Sequence, residues 1–193
     1  MTTTIEWTPK ARAILDAASD LFYDQGIHAV GVDAIAERAG VTKRTLYDRF
    51  GSKERLVVEY LRARDALWRE LLAGRLAAAD AGAIAQVSAV FDASRDWAAE
   101  RGAKGCSMIN AHAEISDPAH PAYAVIVGQK QWMLDLFTRI AETAEVRARD
   151  VVAARLMLLH EGALVTAGME VVEDAFGQAK TVAVELLRSE RVA

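Results

Sequence analysis

The chain of 193 residues has little that binds or breaks it. A single cysteine, Cys106, excludes an internal disulfide and suits a reducing compartment. The three prolines, at 9, 118 and 121, leave a long unbroken stretch rich in Ala, Leu, Glu and Arg, all good helix formers. Alternating β-branched runs are absent, so strands are not expected. No apolar run approaches the ~20 residues of a membrane span. Met1–Pro9 lacks a basic stretch followed by an apolar block, so no secretory signal is expected.

Catalytic signatures are also missing. There is no Gly-rich phosphate loop and no cluster of metal ligands, so no metal or cofactor is expected. His160–Glu161 begins like a zinc-binding His-Glu-x-x-His helix, but Leu164 stands where the second histidine belongs. Cys106 and His112 are six residues apart, on roughly opposite faces of one helix at ~100° per residue, which does not support a Cys–His nucleophile. These absences argue against an enzyme. With 52% hydrophobic and 26% charged residues the chain can build a core. The reading is an all-α, cytoplasmic protein of about nine helices.

The net charge of -4 hides a local excess of the other sign. From Arg38 to Arg55 six basic residues (Arg38, Lys43, Arg44, Arg49, Lys53, Arg55) face two acids, Asp48 and Glu54. Such a patch is the footprint of a phosphate-contacting surface, and equally of an ordinary solvated helix face. The pattern around it predicts helices over 9–25, with Thr8 as N-cap, and over 32–39. Gly40 then gives a tight turn into a helix ending at Phe50, with Thr42 as N-cap. Ser52 caps a fourth helix reaching about Ala79. Further helices are expected over 83–101, 106–115, 121–143, 150–172 (Asp150 as N-cap) and 175–188, with a loop over 101–105.

The second and third of these helices match a helix-turn-helix. Leu46 and Phe50 face inward on the third. Thr42, Lys43, Arg44, Thr45, Tyr47, Asp48 and Arg49 are left to face a major groove, joined by Lys53 at the next helix start. Arg44 suits a guanine edge and Thr45 a thymine methyl. Thr42, Lys43, Tyr47 and Lys53 suit phosphates.

Residues 10–56 resemble the N-terminal domain of TetR-family transcriptional regulators. The resemblance is carried by Ala17-Ala18, Leu21-Phe22, Gly26, then Val32 to Phe50, then Ser52-Lys53-Glu54. The run Gly40-Val41-Thr42 with Leu46-Tyr47, Phe50 and Ser52-Lys53-Glu54 is its most specific part. Two departures are visible. Gly31 stands where the family often has a capping hydroxyl that contacts phosphate. Asp48 stands where many members carry His or Tyr. A carboxylate there suits a cytosine amino group, or holds Arg44 or Arg49. The resemblance implies a DNA-binding domain over 1–52 and a ligand-binding and dimerisation domain over 53–193.

The last two helices carry the dimer reading. Between Leu156 and Val172 only Glu161 and Glu170 are charged, so that helix needs burial on more than one side. Gly162, Ala163, Thr166 and Ala167 permit close approach. Phe176, Ala179, Val182, Ala183 and Leu186 form a stripe on the last helix. Together they suit a four-helix bundle across a two-fold axis, and the family's dimerisation mode implies the same. Effector contacts are sought among aromatic, Met and isolated polar residues: Trp68, Phe91, Trp97, Met108, Asn110, His112, Trp132, Met133, Phe137, Met157, His160 and Glu161. Each also suits a core position, and His160 and Glu161 also suit an inter-helix hydrogen bond. The segment Gly105–Glu114 resembles a stretch common in one branch of the family.

The expected function is a homodimeric repressor that binds a palindromic operator through its third helix. A small molecule releases it. The repressor sign is implied by the resemblance only. The alternative is a helical small-molecule or partner-binding module with a vestigial DNA head. Within the regulator reading, Cys106, near Lys104 and a helix N-terminus, is where oxidant or electrophile sensing would sit.

Overall fold

The computed structural model describes residues 5–102 and 104–192. Ala103 of the expected 101–105 loop and residues 1–4 of the N-terminal stretch lie outside them. The described residues form nine helices: α1 (Pro9–Gln25), α2 (Val32–Arg38), α3 (Lys43–Phe50), α4 (Lys53–Ala78), α5 (Ala83–Arg101), α6 (Ser107–Glu114), α7 (Tyr123–Thr143), α8 (Arg149–Gly168) and α9 (Ala175–Ser189). No strand occurs among them. One isolated antiparallel bridge joins Val146 to Arg191.

The helix starts follow capping chemistry. Thr8 accepts the Ala11 N–H ahead of Pro9, Thr42 accepts the Thr45 N–H, and Ser52 accepts the Arg55 N–H at 3.1 Å. Two ends differ from the sequence reading. α7 begins at Tyr123, not Pro121, because Asp117 and His120 first close a turn on the N–H groups of Ala119 and Ala122. α8 stops at Gly168 rather than Val172, and Glu170 and Asp174 take positive φ. Asp150 does not cap α8. It lies in the first turn, and its carboxylate accepts from Arg149 at 3.0 Å.

The chain divides into two compact units: Met1–Asp65 with Ser107–Val127, and Ala66–Cys106 with Gly128–Ala193. The first therefore takes in more than the 1–52 domain expected. It includes the first half of α4, all of α6 and the start of α7. In it α1, α2 and α3 pack on one another, with Ile14, Phe22, Ile35, Leu46 and Phe50 inside. Burying a Phe or Leu side chain contributes roughly 1.5–3 kcal/mol, which is how a helix as short as α3 is held. In the second unit α9 packs on α5 and α8, around Phe91, Phe137, Leu156, Phe176 and Leu187.

α8 is the one described helix long and apolar enough, by length and composition, to cross a membrane, a match the sequence reading did not anticipate. A helix packed inside its own unit meets the same test, and Val152, Ala153, Leu156 and Ala163 of α8 are buried there.

Candidate functional site

α3 is a helix with two anchors and a polar exterior. Leu46 and Phe50 are fully buried. Thr42, Lys43, Arg44, Tyr47 and Asp48 are exposed, while Thr45, Arg49 and Lys53 are half-buried. The Thr42 hydroxyl lies 2.9 Å from that of Thr45. Lys43 Nζ donates to Asp33 Oδ2 of α2 at 3.0 Å. That hydrogen bond, and then the Asp33 charge, hold its ammonium above the ordinary lysine value. The Arg44 side chain is 91% exposed, with Nε 3.9 Å from Asp48 Oδ2 one turn on.

Arg49 is placed differently from its seven companions. Its guanidinium donates to Glu6 Oε2 at 2.9 Å. Trp7 meets Phe50 edge-on with ring centroids 6.3 Å apart, and Ile5 is buried. Residues 5–7 thus form a strap on the end of α3, which the sequence reading missed; its only signal was apolar Ile5 and Trp7 flanking Glu6. Arg49 is thus engaged by the strap, and Asp48 stands beside Arg44 rather than Arg49. Lys53 lies 5.9 Å from the Phe22 ring centroid. Beside it, Glu54 sits below the ordinary carboxylate range, because its own backbone N–H and then the Ser52 hydroxyl donate to it.

In the second unit a polar chain crosses the apolar core. His160 is buried against the rings of Trp68, Phe91 and Phe137, at 6.4, 5.9 and 5.7 Å. Its Nε2 lies 2.8 Å from Ser94 Oγ and its Nδ1 3.3 Å from Glu161 Oε1. Lys130 Nζ donates to both Glu161 oxygens, at 2.9 and 2.8 Å, and to Cys106 Sγ at 3.0 Å. Burial alone would push Lys130 down, but Cys106 and Glu161 outweigh it and hold the ammonium above its ordinary value. Burial likewise pushes Glu161 up, and the His160 and Lys130 contacts more than reverse it. The sequence reading found His160 and Glu161 but missed Ser94 and Lys130, since partners on α5 and α7 leave no spacing signal.

The other expected effector contacts separate. Trp68 Nε1 donates to Met133 Sδ at 3.4 Å, Trp97 meets Trp68 edge-on at 5.6 Å, and Arg69 covers Trp132 at 4.2 Å. Phe91, Phe137 and Met157 share this core. Met108, Asn110 and His112 do not: they lie on α6 in the first unit. Met108 is buried there, Asn110 is exposed, and exposed His112 approaches Tyr123 at 6.0 Å. Among the described residues no group of three His, Cys, Asp or Glu could hold a metal.

The expected interface residues also divide. Ala163, Phe176, Ala179 and Ala183 are buried inside their own unit, because the stripes they lie on face α5, α8 and α9 themselves. Thr166, Ala167 and Leu186 are half-buried, and Gly162 and Val182 are exposed. Exposed apolar residues lie instead at Val151, Leu158 and Val165, seven residues apart on α8, at Met169, Val171 and Val172 just after it, and at Val182 on α9. Leu158, 73% exposed, is the most open of them.

The sequence profile of bacterial regulatory proteins, tetR family, matches residues 14–60. The transcriptional activator FasR of Mycolicibacterium smegmatis is 52% identical over 48 residues, 25% of this chain and 22% of that protein. The regulator RutR of Escherichia coli is 44% identical over 59 residues, 31% of this chain and 28% of its own. The repressor KstR2 of Rhodococcus jostii is 45% identical over 49 residues, 25% of this chain and 24% of its own. The chain thus spans under a third of the length of these curated relatives. Solved structures cover the rest. A TetR-family regulator of Streptomyces coelicolor superposes with a TM-score of 0.89 at 29% identity, over 95% of this chain and 97% of its own. A TetR-type regulator of Streptomyces avermitilis gives 0.81 at 29% identity, over 95% and 98%. Residues 14–60 thus carry a tetR-family helix-turn-helix, and nearly the whole chain is similar in fold to TetR-family transcriptional regulators, which are not enzymes.

Proposed function

We propose that the chain is a homodimeric repressor that binds a palindromic operator and is released by a small molecule. The observation that carries the reading is α3: two buried anchors hold a helix whose Thr42, Lys43, Arg44 and Tyr47 stand in solvent. Arg44 reads a guanine edge, steadied by Asp48, and Thr45 offers its methyl to thymine. Lys43 exchanges Asp33 for a phosphate, and Thr42, Tyr47 and Lys53 take others. Arg49, engaged by Glu6, keeps the strap in place.

A second copy of the chain covers the exposed apolar residues of α8 and α9. A two-fold pair of recognition helices reads half-sites about one DNA turn apart, ~34 Å, hence a palindromic operator. The effector enters the second unit beside Trp68, Phe91, Phe137 and His160. It acts by favouring one of two pre-existing arrangements. The sign of regulation is the part the relatives divide on, for they include an activator, FasR, and a repressor, KstR2. Work in the cytoplasm follows from the operator reading.

Selection of duplexes from a random pool, with the winner's affinity followed against salt, tests the reading. The expected result is a palindrome bound with a steep negative salt slope. No enrichment over random DNA would overturn it.

A further inference from the structure

The turn between α1 and α2 is held by a residue almost ninety positions away. α1 ends at Gln25, and Gly26 follows with φ of 93°. The next two backbone N–H groups point to one carboxylate: Ile27 donates to Glu114 Oε1 at 2.8 Å and His28 to Glu114 Oε2 at 2.6 Å. His28 Nδ1 lies 3.6 Å from Oε2. The fit is close. A Cβ at Gly26 would come within 3.2 Å of Oε1, on a backbone conformation that side chains rarely adopt.

General helix electrostatics disfavour this placement. Glu114 is the last residue of α6 and its carboxylate reaches the turn just after α1. A helix C-terminus carries partial negative charge and repels a carboxylate. Here the acid sits by two such ends. Charge-assisted bonds to two N–H groups outweigh that cost.

What the contact fixes is the start of the helix-turn-helix. Gly31 precedes α2 and offers it no side-chain cap. The usual device for setting where α2 begins is thus missing. The preceding turn then contributes to setting it, beside the packing of Ile35 and Ala36, through buried Ile27 and Val30 and through the two N–H groups that Glu114 takes. α2 in turn packs on α3, and its Asp33 holds Lys43.

We infer that Glu114 is a positioning residue for operator binding: by gripping the Ile27 and His28 amides from α6 it sets the α1–α2 turn and, through α2, the pose of α3. The inference rests on the DNA-binding reading above. Glu114 touches no DNA itself and acts on the turn ahead of α2, not on the N–H groups of its first turn.

The test uses the full chain, the duplex recovered by selection and a scrambled duplex of equal length. Glu114→Ala is expected to weaken the selected duplex by about tenfold or more, the loss of two hydrogen bonds to a charged group, with the scrambled duplex within about twofold, since its phosphate contacts remain. Hydrogen exchange should quicken at the Ile27 and His28 amides. Glu114→Gln, which keeps one acceptor and the shape, should fall between and serves if the alanine variant fails to fold. Equal loss on both duplexes, or unchanged binding to the selected one in the folded variants, would overturn the inference. If the unaltered protein selects no duplex, the DNA-binding reading itself falls, and the inference with it.

Discussion

Lys43 on α3 and Lys130 on α7 each hold a carboxylate at 3.0 Å or less, but in opposite surroundings. Lys43 and Asp33 are 50% and 76% exposed. Lys130 and Glu161 are 22% and 17% exposed. An exposed pair contributes about 0–1 kcal/mol, so water or a phosphate can replace either partner. An interior pair has given up its hydration, and losing one partner strands the other charge. The first arrangement suits a surface that exchanges partners on DNA. The second suits a core that tolerates few alternatives.

The largest expected effect separates the two pairs. Lys130→Met should cost about 3–5 kcal/mol in urea unfolding at pH 7, because Glu161 is left charged and buried. Lys43→Met should stay within about 0.5 kcal/mol. Similar losses in both would erase the distinction. Acid sharpens it. Glu161 is held below its ordinary value in the folded chain, so its contribution is present above the unfolded value, about 4.3, and is lost as pH falls through the folded one. Lys130 is held above its ordinary value, so its contribution is present below the unfolded value and lost on the alkaline side as pH rises through the folded one. In Lys130→Met the acid trend should reverse, because protonating Glu161 removes the stranded charge.

The next effect concerns α8. Leu158→Glu should leave the fold of the protomer intact but cost association about 2 kcal/mol or more, read by sedimentation as dimer giving way to monomer. An unchanged dimer would mean that the second copy sits elsewhere. On α3, Arg44→Ala should cost about 1–3 kcal/mol on the selected duplex and relax the preferred base at one position per half-site. Lys43→Ala should weaken all sequences alike and lower the salt slope by about 1. Indistinguishable profiles for the two variants would refute their separate roles. The smallest effect is local: Thr42→Ala should cost about 1 kcal/mol of thermal stability through the lost cap.

Much of the head was legible because its signals are local. Thr8, Thr42 and Ser52 each accept an N–H three residues on, and Leu46 and Phe50 lie one turn apart on α3. Such spacings are fixed by helix geometry. The ends of α7 and α8 were not legible to the same degree, since Asp117, His120 and Asp150 engage neighbours by turn and side-chain contacts that compete with capping. The apolar stripe on α9 was correctly placed as a stripe, but Phe176, Ala179 and Ala183 face their own unit. Periodicity finds an apolar side and does not say which molecule covers it.

The sequence by itself determined the helices, the helix-turn-helix and the resemblance of the head to TetR-family regulators, because caps, turns and heptad-scale periodicity act within about ten residues. Only the tertiary structure decided that Arg49 pairs with Glu6, that Lys130 and Ser94 complete the His160–Glu161 chain, and that Glu114 of α6 grips the α1–α2 turn. Those partners are separated by 31 to 87 residues. At such distances side chains meet because helices pack, and no local spacing encodes the encounter.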